Sequence, residues 1–287
     1  MTCVSTVTES PAVLFPGQGS QAPGMRELVA RECPELLERC LELVGEDPFA
    51  RVDESTRFAQ PAIFCASVAG WSALDIEPHA AAGHSLGELG ALAAAGVLTV
   101  EDALELVVLR GRLMADADDT GTMLALLGAA DEDAAAVAEE CGVMVANDNA
   151  PGQLVLSGDK DKLDAAAKAA RARGLRSMPL GVAGAFHSPS MRPAVEPFRK
   201  ALDDVEVREP RFPVFSCASA APFEDVREEL AQALVRPVRW RQTMLALQES
   251  GAASFVDVGP GKVLARLAKR IVPGVTVHVP QDEVAHA

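Results

Sequence analysis

Tyrosine is absent from this 287-residue chain and aromatic residues make up only 4% of it, which leaves little with which to stack bases or build a sugar-binding platform. Positive charge is scarce as well. Lys and Arg number 26 against 41 Asp and Glu, a formal net charge of −15, whereas binding by phosphate neutralisation needs the opposite balance on at least one domain. The six cysteines, at positions 3, 33, 40, 65, 141 and 217, include no CxxC pair and have no histidines at metal-ligand spacing, so reduced, mostly buried thiols and no metal centre are expected. No stretch approaches the roughly 18 uncharged apolar residues of a membrane span, and the opening MTCVSTVTESP has neither the basic nor the apolar segment of a secretion signal. A soluble, cytoplasmic, monomeric protein with no nucleic-acid or membrane partner is the expectation.

What is present is the composition of an ordinary globular protein, 49% hydrophobic and 23% charged, and at this length one large domain carrying a smaller one is expected. The apolar run 12–15, ended by Pro16 and a glycine turn, predicts a strand. Helical patterns cover 26–43 and 61–74. An Ala-rich run at 79–82 leads into Gly83 and then a helical stretch at 88–95, so strand, tight turn and helix follow one another there. A long helix is predicted over 100–117, with Glu101 and Asp102 in its first turn where carboxylates suit the helix dipole. Between 122 and 182 the pattern changes to strands at 122–127, 143–146, 153–157 and 176–182 with helices at 131–140 and 160–173. That order, βαββαβ, is the split βαβ or ferredoxin-like arrangement. Beyond it, helices are predicted at 198–202, 224–234, 242–249 and 263–270, and strands at 212–216 and 253–258.

Three residues carry the chemistry. Gly83, His84, Ser85, Leu86 and Gly87 form GxSxG, a pattern in which a serine sits on a strand-to-helix turn too tight for Cβ atoms beside it; the bland alternative is a glycine turn capped by Ser85. His84 is a packing residue of that turn, since adjacent residues on it point apart. Of the five histidines, His187 in AGAFHSPSM lies directly after the last strand of the inserted unit, at a junction where active sites form, although a surface-loop histidine fits the position equally. No Asp or Glu has a claim to be a third member, so a Ser–His dyad is expected. Arg110 projects from an apolar helical stripe: Ala103, Leu106, Val107, Leu113, Met114 and Ala117 all fall within about 60° of it. A guanidinium buried there needs an anion, either an internal carboxylate or the carboxylate of a substrate.

Two glycine turns resemble nucleotide sites only superficially. Gly17, Gly19 and Ala22 satisfy GxGxxA, but Pro16 and Pro23 flank the turn and no second strand follows at the required distance. A turn bringing backbone N–H groups and Gln18 to a reacting centre suits it better. Gly259 to Lys262 lack the rest of a P-loop and lead into the helix at 263–270.

Together these residues resemble the malonyl-CoA:acyl-carrier-protein transacylases and the acyltransferase domains of polyketide synthases. The markers, in the family's order, are FPGQGSQ (15–21), GHSLGE (83–88), LRGRLM (109–114), NAPGQLVLSG (149–158), AFHSPSM (185–191), RPVRW (236–240) and VGPGKVL (258–264). The resemblance implies an α/β fold: an α/β-hydrolase-like catalytic domain from 1–118 and 189–287, with a ferredoxin-like subdomain at 119–188. It implies Ser85 as the acylated nucleophile, His187 as its base, Arg110 as the clamp on the malonyl carboxylate, the backbone N–H groups of Gln18 and Leu86 as the oxyanion hole, and Phe186 and Met114 as further substrate-binding residues. Phe186 matches the malonyl-type AFH pattern, whose ring leaves less room for an α-methyl. In the family a Gln four residues before the proline of PVRW orients the histidine. Here that position is Ala233 and Gln232 stands one residue earlier, so a local register shift or a backbone carbonyl has to supply the orienting group.

The implied activity is ping-pong transfer of malonyl from malonyl-CoA to the phosphopantetheine thiol of an acyl carrier protein, in fatty-acid or polyketide synthesis, with no bound cofactor. Carrier proteins are commonly acidic, so docking on this acidic chain would fall to a local basic patch, either Lys262, Arg266, Lys269 and Arg270 or Arg171, Arg173 and Arg176. Three alternatives stay open: an acyl-thioester hydrolase on the same scaffold, a discrete acyltransferase using another acyl group, and a non-catalytic carrier-binding protein.

Overall fold

A computed structural model describes residues 10–118, 120–128 and 130–280. Strand β1 (Ala12–Phe15) is followed by helices α1 (Met25–Glu32), α2 (Pro34–Val44) and α3 (Thr56–Ser72), then by β2 (Ala80–Gly83), α4 (Gly87–Ala94) and α5 (Val100–Ala117). Next come β3 (Gly121–Leu127), α6 (Asp131–Cys141), β4 (Met144–Ala150), β5 (Gln153–Asp159), α7 (Lys160–Ala172) and β6 (Arg176–Pro179). The chain closes with α8 (Arg192–Asp203), β7 (Val214–Phe215), α9 (Val226–Ala233), α10 (Trp240–Glu249), β8 (Ser254–Asp257), α11 (Val263–Ile271) and β9 (Thr276–His278).

Two sheets result. A parallel sheet has the order β7-β2-β1-β8-β9, and an antiparallel one the order β4-β5-β3-β6, which is the ferredoxin-like arrangement. The architecture is therefore mixed α/β, a large α/β unit with a small ferredoxin-like one. Alternation in β1 sorts the large core into two layers. Val13 and Phe15 face helices α1 to α5 and α8, while Ala12 and Leu14 face Trp240, Met244, Leu264 and Leu267 of α10 and α11. In the small unit Leu124, Leu126, Leu154 and Leu156 pack under α6 and α7, and Met123, Ala125 and Val155 turn the opposite face toward the large core.

Differences from the sequence expectations have local causes. The run 26–43 is two helices, because Pro34 cannot donate and pushes Cys33 out of the helical region, to φ −144° and ψ 64°. Helix α3 begins five residues before Pro61: Ser55 caps it by accepting from the Arg57 N–H, and the proline is absorbed inside. Helix α8 likewise starts before the apolar pattern shows it, with a proline in its first turn. Strand β9 is three residues at a sheet edge, too short for the pattern to signal.

The two units are stitched along one seam. Strand β4 bulges out of its own ladder so that Val238 donates to the Ala146 carbonyl and accepts from the Asp148 N–H, each at 2.8 Å. On α10, Arg241 and Gln242 both donate to Asp148 Oδ2, at 2.7 and 2.8 Å.

Backbone packs closely against backbone where β2 turns into α4. A Cβ on Gly83 would stand 1.9 Å from the Gly87 carbonyl carbon, and one on Gly87 1.9 Å from the Phe15 oxygen, so both obstacles are backbone. Gly87→Ala is expected to destabilise by about 1–3 kcal/mol, against no measurable loss for Gly181→Ala, whose Cβ meets nothing within 4 Å. Thermal unfolding of the two variants checks this, and equal melting temperatures would contradict the close approach.

Candidate active site

Ser85 sits on the turn that those glycines permit, with φ +52°, a left-handed conformation costing a non-glycine residue of order 1–3 kcal/mol. The bend aims its Oγ out of the sheet's C-terminal edge. His84, its neighbour, turns the other way, with its ring 5.4 Å from that of Trp240 and its Nε2 2.8 Å from Asn149 Oδ1 on β4. It packs the elbow as expected, and it also ties the elbow to the small sheet.

His187 is brought from 102 positions away, its Nε2 2.8 Å from Ser85 Oγ. It too holds a positive φ, +57°. On the far side of the ring Nδ1 lies 2.9 Å from the Ala233 carbonyl and 3.1 Å from that of Arg236. Carbonyls only accept, so Nδ1 carries the proton and Nε2 is left bare to take the hydrogen of Ser85. Among the described residues no carboxylate hydrogen-bonds to either nitrogen of the ring. The orienting group is backbone: the Ala233 position supplies its carbonyl, and among the described residues no hydrogen bond joins the Gln232 side chain to the ring. Burial, and next the Arg110 cation, push the His187 pKa down to about 3, so the ring is a neutral acceptor at neutral pH.

Arg110 is 4% exposed, and its Nη2 donates to Ser85 Oγ at 3.0 Å. Its Nη1 donates to Gln60 Oε1 at 2.7 Å. Among the described residues no carboxylate pairs with it. The acid that acts on it through space is Glu88, buried on α4, with Oε1 accepting the Cys217 N–H at 2.8 Å. Burial raises the Glu88 pKa to about 7, so the acid offsets the cation only in part, and burial lowers Arg110 to about 10, which leaves it charged at neutral pH.

These side chains meet at a cavity of about 710 Å³ between the two sheets. Gln18, Ser85, Leu86, Arg110, Met114, Phe186 and His187 all line it; Gln232 and Ala233 do not, and the Ala233 carbonyl stands behind the histidine. Gln18 and Leu86 backbone N–H groups make no hydrogen bond among the described residues. Three contributors escaped sequence reasoning. Gln60 stands just before the proline at which a helix seemed to begin, and its only signal was a polar residue in an apolar run. Asn149 and Glu88 lie in quoted motifs, but their partners are distant in sequence. Among the described residues no group of three or more His, Cys, Asp or Glu could hold a metal ion, and no helix is long and apolar enough to cross a membrane.

A family model described as the acyl transferase domain matches residues 13–279. The chain belongs to that family. Among curated relatives, this acyl transferase is 37% identical to the malonyl CoA-acyl carrier protein transacylase of Haemophilus influenzae, over 91% of this chain and 92% of that one. It is 36% identical to the polyketide biosynthesis malonyl CoA-acyl carrier protein transacylase PksC of Bacillus subtilis, over 90% and 96%. Its fold superposes with a TM-score of 0.89 on the malonyl-CoA:acyl carrier protein transacylase of Xanthomonas oryzae pv. oryzae, at 35% identity over 97% and 98% of the two chains. With a malonyl-transacylase solved in complex with its type II polyketide-synthase acyl-carrier protein the TM-score is 0.87, at 34% identity over 94% and 95%.

A histidine held below its ordinary 6.5 has a definite pH signature. The unfolded chain binds the proton first as pH falls, so the stability this ring contributes is full above 6.5 and is lost as pH drops toward about 3. Modification of Ser85 by a neutral fluorophosphonate is therefore expected to keep its rate from neutral pH down past 6.5. A decline centred at that ordinary value would mean the ring takes up its proton freely.

Proposed function

We propose that this chain moves a malonyl group from CoA to the phosphopantetheine thiol of an acyl carrier protein through an acyl-Ser85 intermediate, in the cytoplasm, as a step of fatty-acid or polyketide synthesis. The observation that carries this is Arg110, a buried, charged guanidinium 3.0 Å from the Ser85 hydroxyl with no ion-pair partner among the described residues. A carboxylate at the far end of a short acyl group satisfies it in the bidentate manner that suits the planar fork.

Ser85 Oγ attacks the thioester carbonyl while His187 Nε2 takes its proton. The oxyanion that forms is met by the Gln18 and Leu86 N–H groups. The C–S bond breaks, His187 returns the proton to the departing sulfur, and CoA leaves as its thiol. The carrier's thiol then enters by the reverse steps, giving its proton to His187 and releasing Ser85. During acylation the Arg110 Nη2–H keeps its proton and changes hydrogen-bond acceptor, from Ser85 Oγ to the malonyl carboxylate. Phe186, buried against the site, fills the space an α-substituent would need. An acyl-thioester hydrolase is not favoured, since most esters lack the carboxylate Arg110 calls for, and the cavity's extra volume suits a pantetheine arm. Malonyl-CoA is the donor, and no cofactor is needed for these steps.

Two measurements test this. Intact-mass analysis after mixing with a panel of acyl-CoAs is expected to show malonyl retained on Ser85, and steady release of free malonate without a carrier would instead favour the hydrolase. Arg110→Ala is expected to lose malonyl transfer by roughly 10⁴-fold while gaining relative activity toward acetyl-CoA, because omitting a group a site is built for costs that much. Unchanged acyl preference would refute the role.

For the carrier we favour α11, because Val263, Leu264 and Leu267 line the cavity while Arg266 and Lys269 are exposed on the same helix. Arg171, Arg173 and Arg176 line none of it, and Arg173 is paired with Glu140. Arg266→Glu with Lys269→Glu is expected to raise KM for an acidic carrier about tenfold and leave the kinetics of malonyl-CoA alone. An unaltered carrier KM would move the docking surface elsewhere.

A further inference from the structure

Arg110 is held by an amide where an acid would satisfy the same geometry. Gln60 Oε1 accepts its Nη1 hydrogen at 2.7 Å, and the carboxamide is itself held from behind. Gln60 Nε2 donates to Thr56 Oγ1 at 2.8 Å and toward Met114 Sδ at 3.3 Å. The Thr56 hydroxyl in turn donates to Gln18 Oε1 at 2.8 Å. Donation thus runs one way, from Arg110 through Gln60 and Thr56 to the side chain of Gln18. Thr56 and Gln60 are one turn apart on α3 and share a face, and both are buried.

The chemistry of this line decides what Arg110 can do. A guanidinium removed from water must find acceptors for its N–H groups. A carboxylate in the place of the Gln60 amide would supply one and would also cancel the charge, so an incoming carboxylate would meet an ion pair already made. The amide oxygen satisfies the N–H and leaves the charge. Its orientation matters, because turned about it would set an NH₂ against the guanidinium. Thr56 prevents this: with its own hydrogen committed to Gln18, its oxygen offers Gln60 only lone pairs and so accepts from Nε2, which keeps Oε1 toward Arg110.

We infer that Gln60, oriented by Thr56, is a specificity-determining positioning residue whose neutrality reserves the Arg110 charge for the carboxylate of the acyl group. The inference rests on the role proposed above for Arg110. Its test compares Gln60→Glu, Gln60→Met, Thr56→Val and Thr56→Ser, with KM and kcat for Ser85 acylation measured separately on malonyl-CoA and acetyl-CoA.

Gln60→Glu is expected to cut the malonyl-over-acetyl preference about 100-fold, chiefly through KM for malonyl-CoA, because the arginine is then neutralised internally. Gln60→Met, which offers no oxygen but adds no charge, is expected to slow malonyl transfer while keeping malonyl the preferred group. Thr56→Val is expected to raise the malonyl KM about tenfold, with Thr56→Ser restoring it. A merely structural role would lower both acyl groups alike in every variant, and that result overturns the inference. So does Gln60→Glu with the wild-type preference. Should Gln60→Glu fail to fold by thermal melt, the Thr56 pair decides, and equal malonyl KM for Val and Thr overturns it. Arg110→Ala with unchanged acyl preference overturns both this inference and the reading beneath it, whereas a normal Arg110→Ala response beside an indifferent Gln60→Glu overturns this one alone.

Discussion

A positive charge taken out of water, with no carboxylate paired to it among the described residues, is the constraint around which this site is arranged. Burial of Arg110 in the apolar stripe of α5 raises the energy of its charged form, and most proteins relieve such a cost with a neighbouring carboxylate. Here the relief is partial. An amide and a hydroxyl accept its hydrogens, and Glu88, whose pKa burial raises to about 7, acts on it through space. The unmet share of that electrostatic demand is what a diacid monothioester can supply and a simple acyl thioester cannot.

The same cation constrains the base. A histidine this close to a guanidinium and this deep is uncharged in its resting state, which is the form a general base needs. An acid behind the ring would pull the other way, favouring imidazolium before the reaction begins. The Ala233 and Arg236 carbonyls fix the tautomer without adding charge. Around both side chains, then, the protein uses oriented dipoles where full charges could stand, and polarity is retained with little cancellation.

How much of this could be read from the residues alone differs by element. An apolar run ended by a turn disclosed β1, helical periodicity disclosed α5, and the order of strand and helix patterns disclosed the βαββαβ unit. The Ala-rich β2 gave only a weak strand signal, since three methyl side chains buried on both sides carry little pattern. Ser85, His187 and Arg110 stood out through spacing and the energetic oddity of a charge in an apolar stripe. Gln60 did not, because Pro61 seemed to forbid a helix there and only the Ser55 cap shows why one forms. The carbonyls behind His187 could not be identified either: every residue has one, and which are aimed at the ring depends on the path of the chain after α9.

That path is where the seam between the sheets acquires a meaning beyond cohesion. The strand that binds Val238 also carries Asn149, and the segment holding Val238 also carries the Arg236 carbonyl, so the turn of Ser85 and the anchor of His187 are referenced to the same strip of β4. Swapping the antiparallel unit for that of a relative, as one would to graft new carrier selectivity, cannot be done at its chain ends alone. Residues 146–149 and 236–242 form one transplantable module, and a chimera that separates them would misalign Ser85 and His187 even though both residues are kept in the sequence.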